Sequence, residues 1–228
     1  MPADAVPPPT AVVFDAYGTL LDVHAAVTRH AARLGPAAAA VSAMWRQRQF
    51  EYSWILSATG AYEDFAAITA RALDVTLAAH GLTDEALRED LLAAYRRLDA
   101  FPDALPVLSG LRRAGRRIGI LSNGSPAMLA EAVREAGLAP VLDAVLSVDT
   151  RRLYKPHRQV YELAPAQFGC APDRIAFVSG NAWDAFGAAR FGFRVFWLNR
   201  TPQPEEYGLA TLAERRIASL SELPALLA

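Results

Sequence analysis

Ala11-Val12-Val13-Phe14 is an apolar run that ends on a carboxylate, Asp15, after which Tyr17, Gly18 and Thr19 turn the chain away. An aspartate so placed is a candidate nucleophile, able to attack an electrophilic carbon and carry it as an ester. Two positions on, where a second acid could handle a proton, the chain has Tyr17. Ser122 and Asn123 follow a second apolar run, and Ser179, Asn181 and Asp184 follow a later one. Between those runs, in RLYKPHRQVYEL, stands Lys155, the only lysine among 23 basic residues. Composition alone leaves two accounts of it open. It is a remnant of a strong arginine bias, or an ammonium kept for work that a guanidinium cannot do.

These groups need elements that bring them to one place. The runs AVVFD, RIGILSN, AVLSV, RIAFVSGN and RVFWLN are short and continuously apolar, as strands buried on both faces of a parallel sheet are. DALPVLSGLRRAG and PAMLAEAVREAG lie between them with helical spacing and end in glycine. Strand and helix alternate, which predicts an α/β fold with a doubly wound, Rossmann-like parallel sheet. In such a sheet ligands sit outside the carboxyl ends of the strands, where Asp15, Ser122, Asn123, Ser179, Asn181 and Asp184 all fall.

Residues 22–98 break the alternation. VSAMWRQRQFEYSWIL has apolar residues at 41, 44, 45, 52 and 55, a helical pattern, and two further helical stretches follow, with Thr83 a candidate N-cap for the second. The expected organisation is a discontinuous core, 11–21 with 99–228, and an inserted all-helical cap over 22–98. Residues 1–10, with Pro7, Pro8 and Pro9, read as an extended lead-in. Pro165 should kink the helix that follows Lys155.

Composition excludes several classes. A formal net charge of −1 gives no reason to expect nucleic acid or an anionic membrane surface as a partner. A single cysteine, Cys170, rules out an internal disulfide framework and fits a reducing compartment. The N-terminus lacks the basic and apolar regions of a signal peptide, and no run of 18 apolar residues exists, so a cytoplasmic location is expected. The nucleotide-binding glycine motifs, H-E-x-x-H, C-x-x-C and the G-x-S-x-G elbow are absent, and the four histidines have no metal-ligand spacing.

DAYGTL, MWRQRQFEYSW, LSNGSP, YKPHRQVYEL and FVSGNAWDAFGA, in this order, resemble the L-2-haloacid dehalogenases. These form the branch of the haloacid dehalogenase superfamily that hydrolyses halogenated carboxylic acids. The resemblance runs from about residue 11 to 200 and includes the cap. It implies that Asp15 displaces halide from a short (S)-2-haloalkanoic acid with inversion. Water then cleaves the aspartyl ester to give an (R)-2-hydroxy acid; haloacetates are within the implied range. Halide leaves as a stable anion and needs no proton, so Tyr17 is permissible here, whereas a superfamily phosphatase uses an acid at that place. The late loop holds one acid, Asp184, too few for the carboxylate set that a hard cation requires. Neither metal nor cofactor is implied.

The resemblance also implies residue roles. Lys155 offsets the charge of Asp15 and orders Asp184, which positions the hydrolytic water with help from Ser179 and Asn181. Thr19 and Tyr161 support Asp15 and the charged cluster. Ser122 receives the substrate carboxylate, and Arg46 and Asn123 the halide. Tyr17, Gln47, Phe50, Phe65 and Trp183 wall the alkyl pocket. A homodimer is the usual assembly. Two departures stand out: Gly180 where a serine is expected, and Phe50 where a smaller aliphatic side chain is usual. The alternatives are a phosphatase or phosphonate hydrolase of the same superfamily, and a non-catalytic protein that keeps the fold.

Overall fold

The computed structural model describes residues 8–227, so most of the expected N-terminal lead-in, residues 1–7, lies outside the described residues. Six strands form one parallel sheet: β1 (Ala11–Phe14), β2 (Arg117–Ser122), β3 (Ala144–Ser147), β4 (Ile175–Ser179), β5 (Arg194–Leu198) and β6 (Arg215–Ile217), in the order β3-β2-β1-β4-β5-β6. The strand order reverses at β1, which pairs with β2 on one side and β4 on the other. That reversal opens a crevice at the carboxyl ends of β1 and β4. Every residue of β1 and β4 is buried, which is why their sequences are continuously apolar.

Five strands match the apolar runs. The sixth, Arg215-Arg216-Ile217, carried no signal: an edge strand of three residues has one buried side chain, and its exposed arginines guard the open edge. Between β1 and β2 come α1 (Ala25–Arg29), α2 (Ala31–Leu34), α3 (Ala38–Thr59), α4 (Phe65–Ala79) and α5 (Glu85–Arg96), which pack on one another as a helical cap. Returning to the core, α6 (Ala104–Arg113), α7 (Pro126–Glu135), α8 (Arg158–Tyr161), α9 (Leu163–Phe168) and α10 (Ala182–Phe191) cover the sheet.

Three local expectations need correction or sharpening. The N-cap of α5 is Asp84, not Thr83: the Asp84 carboxylate accepts from the Leu87 N–H at 3.0 Å. The helical pattern over 41–55 is borne out by α3, although Ile55, one of its apolar residues, is 58% exposed. The buried face of α3 instead runs Val41, Trp45, Gln49, Ser53, half of it polar. Pro165 does interrupt its helix. It has no N–H for the Tyr161 carbonyl, and the segment divides into α8 and α9 at Glu162.

Candidate active site

Asp15 continues the β1–β4 ladder by one residue, its N–H donating to the Val178 carbonyl at 2.9 Å, and its carboxylate emerges in the crevice. Gly18 then takes φ 88°, a left-handed conformation that turns the chain back. Lys155 Nζ donates to Asp15 Oδ1 at 3.0 Å and to Asp184 Oδ2 at 2.9 Å. The Thr19 hydroxyl donates to Asp15 Oδ2 at 2.9 Å and accepts from the Gly180 N–H at 2.8 Å, stitching the first strand's loop to the fourth's. The Asn181 amide donates to Asp15 Oδ2 at 2.9 Å and to the Tyr17 carbonyl at 3.1 Å.

The neighbours of these groups are fixed in turn. Ser179 Oγ accepts from the Asn181 N–H at 3.2 Å, which sets the start of α10 and so the angle at which Asp184 enters. The Tyr161 hydroxyl donates to Asp184 Oδ1 at 2.8 Å. Asn123 Oδ1 accepts from the Lys155 N–H at 3.0 Å, and Ser122 Oγ accepts from the Gly124 N–H at 3.2 Å. Asp15, Thr19, Ser122, Asn123, Lys155, Tyr161, Ser179 and Asp184 are all buried.

Burial works against the Lys155 ammonium, but Asp15 and Asp184 outweigh it, and the lysine is held above its usual value and charged. The Asp184 carboxyl is pushed up, chiefly by burial; Asp15 adds to the rise while Lys155 and Tyr161 oppose it. One ammonium between two carboxylates leaves an excess negative charge. Arg46, on α3, brings a positive one to the same cavity: its guanidinium donates to the Tyr17 carbonyl at 2.8 Å and lies 4.2 Å over the Phe50 ring.

Asp15, Tyr17, Arg46, Phe50, Phe65, Ser122, Asn123, Asn181 and Trp183 line a tight cavity. Gln47 does not reach it. The side chain is exposed on α3 and donates to Glu51 at 3.1 Å. Gln49, which the sequence did not single out, is the glutamine that faces inward. It accepts from Arg46 at 3.4 Å and from the Tyr95 hydroxyl at 3.3 Å, and donates to Thr69 at 3.1 Å. The signal was present: on a helix, residue i+3 shares a face with Arg46 and residue i+1 does not. Tyr95 was also missed; it stacks on Tyr17 with centroids 5.6 Å apart.

Two glycines are demanded by close approach. A Cβ at Gly180 would stand 2.5 Å from the Gly18 carbonyl oxygen, and one at Gly187 would stand 2.5 Å from the Tyr161 hydroxyl. Gly180 is therefore explained by how tightly the loops after β1 and β4 meet. Among the described residues no group of three or more His, Cys, Asp or Glu side chains could hold a metal ion. No helix is long and apolar enough to cross a membrane.

The family model of the haloacid dehalogenase-like hydrolases matches residues 9–192, which spans β1, the cap and every residue of the cavity. The chain belongs to the haloacid dehalogenase-like hydrolases. It is 46% identical over 221 residues to (S)-2-haloacid dehalogenase 1 of Pseudomonas sp. (strain CBS-3), covering 96% of this chain and 97% of that one. A dehalogenase solved with an intermediate complex superposes with a TM-score of 0.95 at 44% identity, over 98% of this chain and 99% of the other. The L-2-haloacid dehalogenase of Xanthobacter autotrophicus with chloropropionic acid covalently bound gives a TM-score of 0.88 at 36% identity, over 96% and 98%. The haloacid dehalogenase-like match stops just before β5, so Arg200 and the last two strands lie beyond it.

Proposed function

We propose that the protein hydrolyses the carbon–halogen bond of short (S)-2-haloalkanoic acids, haloacetates included, to (R)-2-hydroxy acids and halide. The observation that carries this reading is the state of Asp15. Three donors (Lys155, Thr19 and Asn181) hold its carboxylate at the mouth of a small closed cavity, and no acid stands at position 17.

In the first step an Asp15 oxygen attacks the halogen-bearing carbon from the face opposite the halogen. The C–O bond forms, the carbon–halogen bond breaks, and halide departs with the bonding pair. Arg46 and Asn123 receive the halide, while Ser122 and the N–H groups after β2 hold the substrate carboxylate. Tyr17, Phe50, Phe65 and Trp183 keep water from the nucleophile during displacement. In the second step water attacks the Asp15 carbonyl carbon and gives one proton to Asp184. Collapse expels the hydroxy-acid alkoxide, which takes that proton back, and Asp15 regains its carboxylate by releasing the other. Tyr161 and Ser179 act through Asp184 and Asn181.

The reaction needs no metal on this reading, because the Lys155 ammonium sits between the two carboxylates where a cation would otherwise bridge them. A monoanionic substrate also asks for less neutralisation than a phosphate. We place the cap at 22–98 and the core at 11–21 with 99–228, and read the protein as a cytoplasmic homodimer without nucleic-acid or membrane partners. The test is halide release from each enantiomer of 2-chloropropionate in excess EDTA. Release from the L-enantiomer with D-lactate as product supports the reading. Magnesium-dependent hydrolysis of a phosphate ester, with no halide release, overturns it. Multiple turnovers in H₂¹⁸O should place label in the Asp15 carboxylate.

A further inference from the structure

Phe50, Trp54 and Trp183 form a wall of three rings on one side of the cavity. Phe50 stacks on Trp54 with centroids 5.8 Å apart and planes 11° from parallel. Both meet Trp183 edge to face, at 5.1 Å and 5.5 Å. Phe50 and Trp183 border the tight cavity around Asp15. Trp54 and Trp183 border a second, larger space of about 520 Å³. This is a mainly apolar groove between α3 and the core, whose far side is made by Tyr154, Pro156, Phe186 and Tyr207. The barrier between cavity and groove is therefore one ring deep at Trp183 and two rings deep at Phe50 and Trp54.

Packing holds this wall. The indole N–H groups of Trp54 and Trp183 are both buried and find no hydrogen-bond acceptor among the described residues. Trp54 touches none of the groups that surround Asp15 by hydrogen bond, yet it backs the ring that faces the substrate. The Phe50 ring also carries the Arg46 guanidinium over it at 4.2 Å. Swinging this ring aside for a longer alkyl chain would break its contacts with both a cation and an indole.

We infer that Trp54, acting through Phe50 and Trp183, sets the upper chain length of the acid, and that the groove behind it would take the extra methylenes if the wall were opened. This rests on the dehalogenase reading and names the substrates within it: two- and three-carbon acids. Where an acid's alkyl chain meets a wall of aromatic rings, one methylene too many costs about 10-fold or more in kcat/KM.

The experiment measures kcat/KM for halide release from bromoacetate, 2-bromopropionate, 2-bromobutanoate and 2-bromohexanoate. The wild-type protein, Trp54→Ala, Trp54→Phe and Phe50→Leu are compared, each checked for folding by circular dichroism. The readout is the ratio of the long acid to 2-bromopropionate, so a general loss of activity cancels. The wild type should lose at least 10-fold for each methylene beyond propionate. Trp54→Ala should raise the hexanoate-to-propionate ratio at least 10-fold, Phe50→Leu should raise it from the cavity side, and Trp54→Phe should keep most of the wild-type discrimination. A flat wild-type length profile, or a ratio unmoved in the folded variants, overturns the inference and leaves the dehalogenase reading standing. If Trp54→Ala does not fold, Phe50→Leu and the wild-type profile decide. No halide from any of the four acids overturns the dehalogenase reading, and the inference with it.

Discussion

Lys155 and Asp184 are both wholly buried and meet at 2.9 Å, on the side of the ammonium away from its 3.0 Å contact with Asp15. A cation in that position cannot be removed without leaving two carboxylates facing each other in a dry place. Lys155→Met, which keeps the volume and loses the charge, should lower halide release by at least about 10³-fold. The same change should destabilise the fold by about 3–5 kcal/mol, the usual cost of breaking a buried ion pair from one side. Urea denaturation at pH 7 checks the second figure. Lys155 is held above 10.5 in the fold, so its contribution is complete below that pH and is lost as pH rises through the folded value.

Tyr161 donates to Asp184 and opposes the rise in its pKa. Removing the hydroxyl with Tyr161→Phe leaves burial less opposed, so Asp184 should protonate at a still higher pH. In the proposed mechanism turnover needs the ionised form, so the acid limb of the kcat profile should move upward. The wild-type limb should itself lie above the ordinary aspartate value of 3.8, because burial raises Asp184. A pH–rate profile of the two proteins checks both. The pH slope has the same sign as that of Lys155, because both groups are raised: stability falls as pH climbs from 3.8 through the folded value of Asp184, in an acid window well separated from that of the lysine.

Gly180→Ala places a Cβ 2.5 Å from the Gly18 carbonyl, backbone against backbone, with no flexible side chain to yield. The loops after β1 and β4 must part, which stretches the Gly180 N–H to Thr19 bond and moves Asn181 off Asp15. The expected outcome is a loss of about 1–3 kcal/mol in thermal unfolding, in the range of overpacked sites. A fall in kcat of more than 10-fold should accompany it. Gly180→Ser should behave the same way in spite of its added hydroxyl.

Asp103 gathers four donors: two from Arg200 at 2.8 Å, the Ser219 hydroxyl at 2.9 Å and the Leu220 N–H at 2.9 Å. Burial raises its pKa, but Arg200 and Ser219 outweigh burial and hold the carboxyl below its usual value. The stability it contributes is present above 3.8 and is lost as pH falls through the depressed value. Asp103→Ala should cost about 1–3 kcal/mol, measured by urea denaturation at pH 7. Arg200 also donates to the Thr19 carbonyl at 3.2 Å, so a modest rise in KM should accompany the loss.

The parts of the molecule legible in the sequence are those where one physical demand acts alone. Strands buried on both faces must be apolar, so β1, β2, β4 and β5 could be read directly, whereas β3, read the same way, is an edge strand with Val145 exposed; the residues past the ends of β1, β2 and β4 fell in one crevice. The cap was harder because its inner face answers two demands. Gln49 and Ser53 sit where periodicity asks for apolar residues, Gln49 bonded to Arg46 and Ser53 to its own helix backbone, while the apolar Ile55 faces solvent. Gln47 was carried into the site by likeness of motif, whereas helix geometry points it to solvent beside Glu51. Thr83 and Asp84 are both good caps, and only the Leu87 hydrogen bond separates them. Trp54 carried no chemical signal because its part is played through another ring.

The place of β1 in the middle of the sheet has a consequence for how the chain reaches this form. It is the first strand to be made, yet its partners begin at residues 117 and 175, and Lys155 lies 140 residues from Asp15. The cap helices can close on neighbours near in sequence long before either partner is available. β1, four apolar residues without a polar face, must wait through that interval, shielded by nothing of its own. Folding should therefore be limited by long loop closure, with the cap formed early and the surroundings of Asp15 completed last. A chain halted between residues 98 and 175 would carry a ready cap, a sheet lacking one or both partners of β1, and a strong tendency to aggregate.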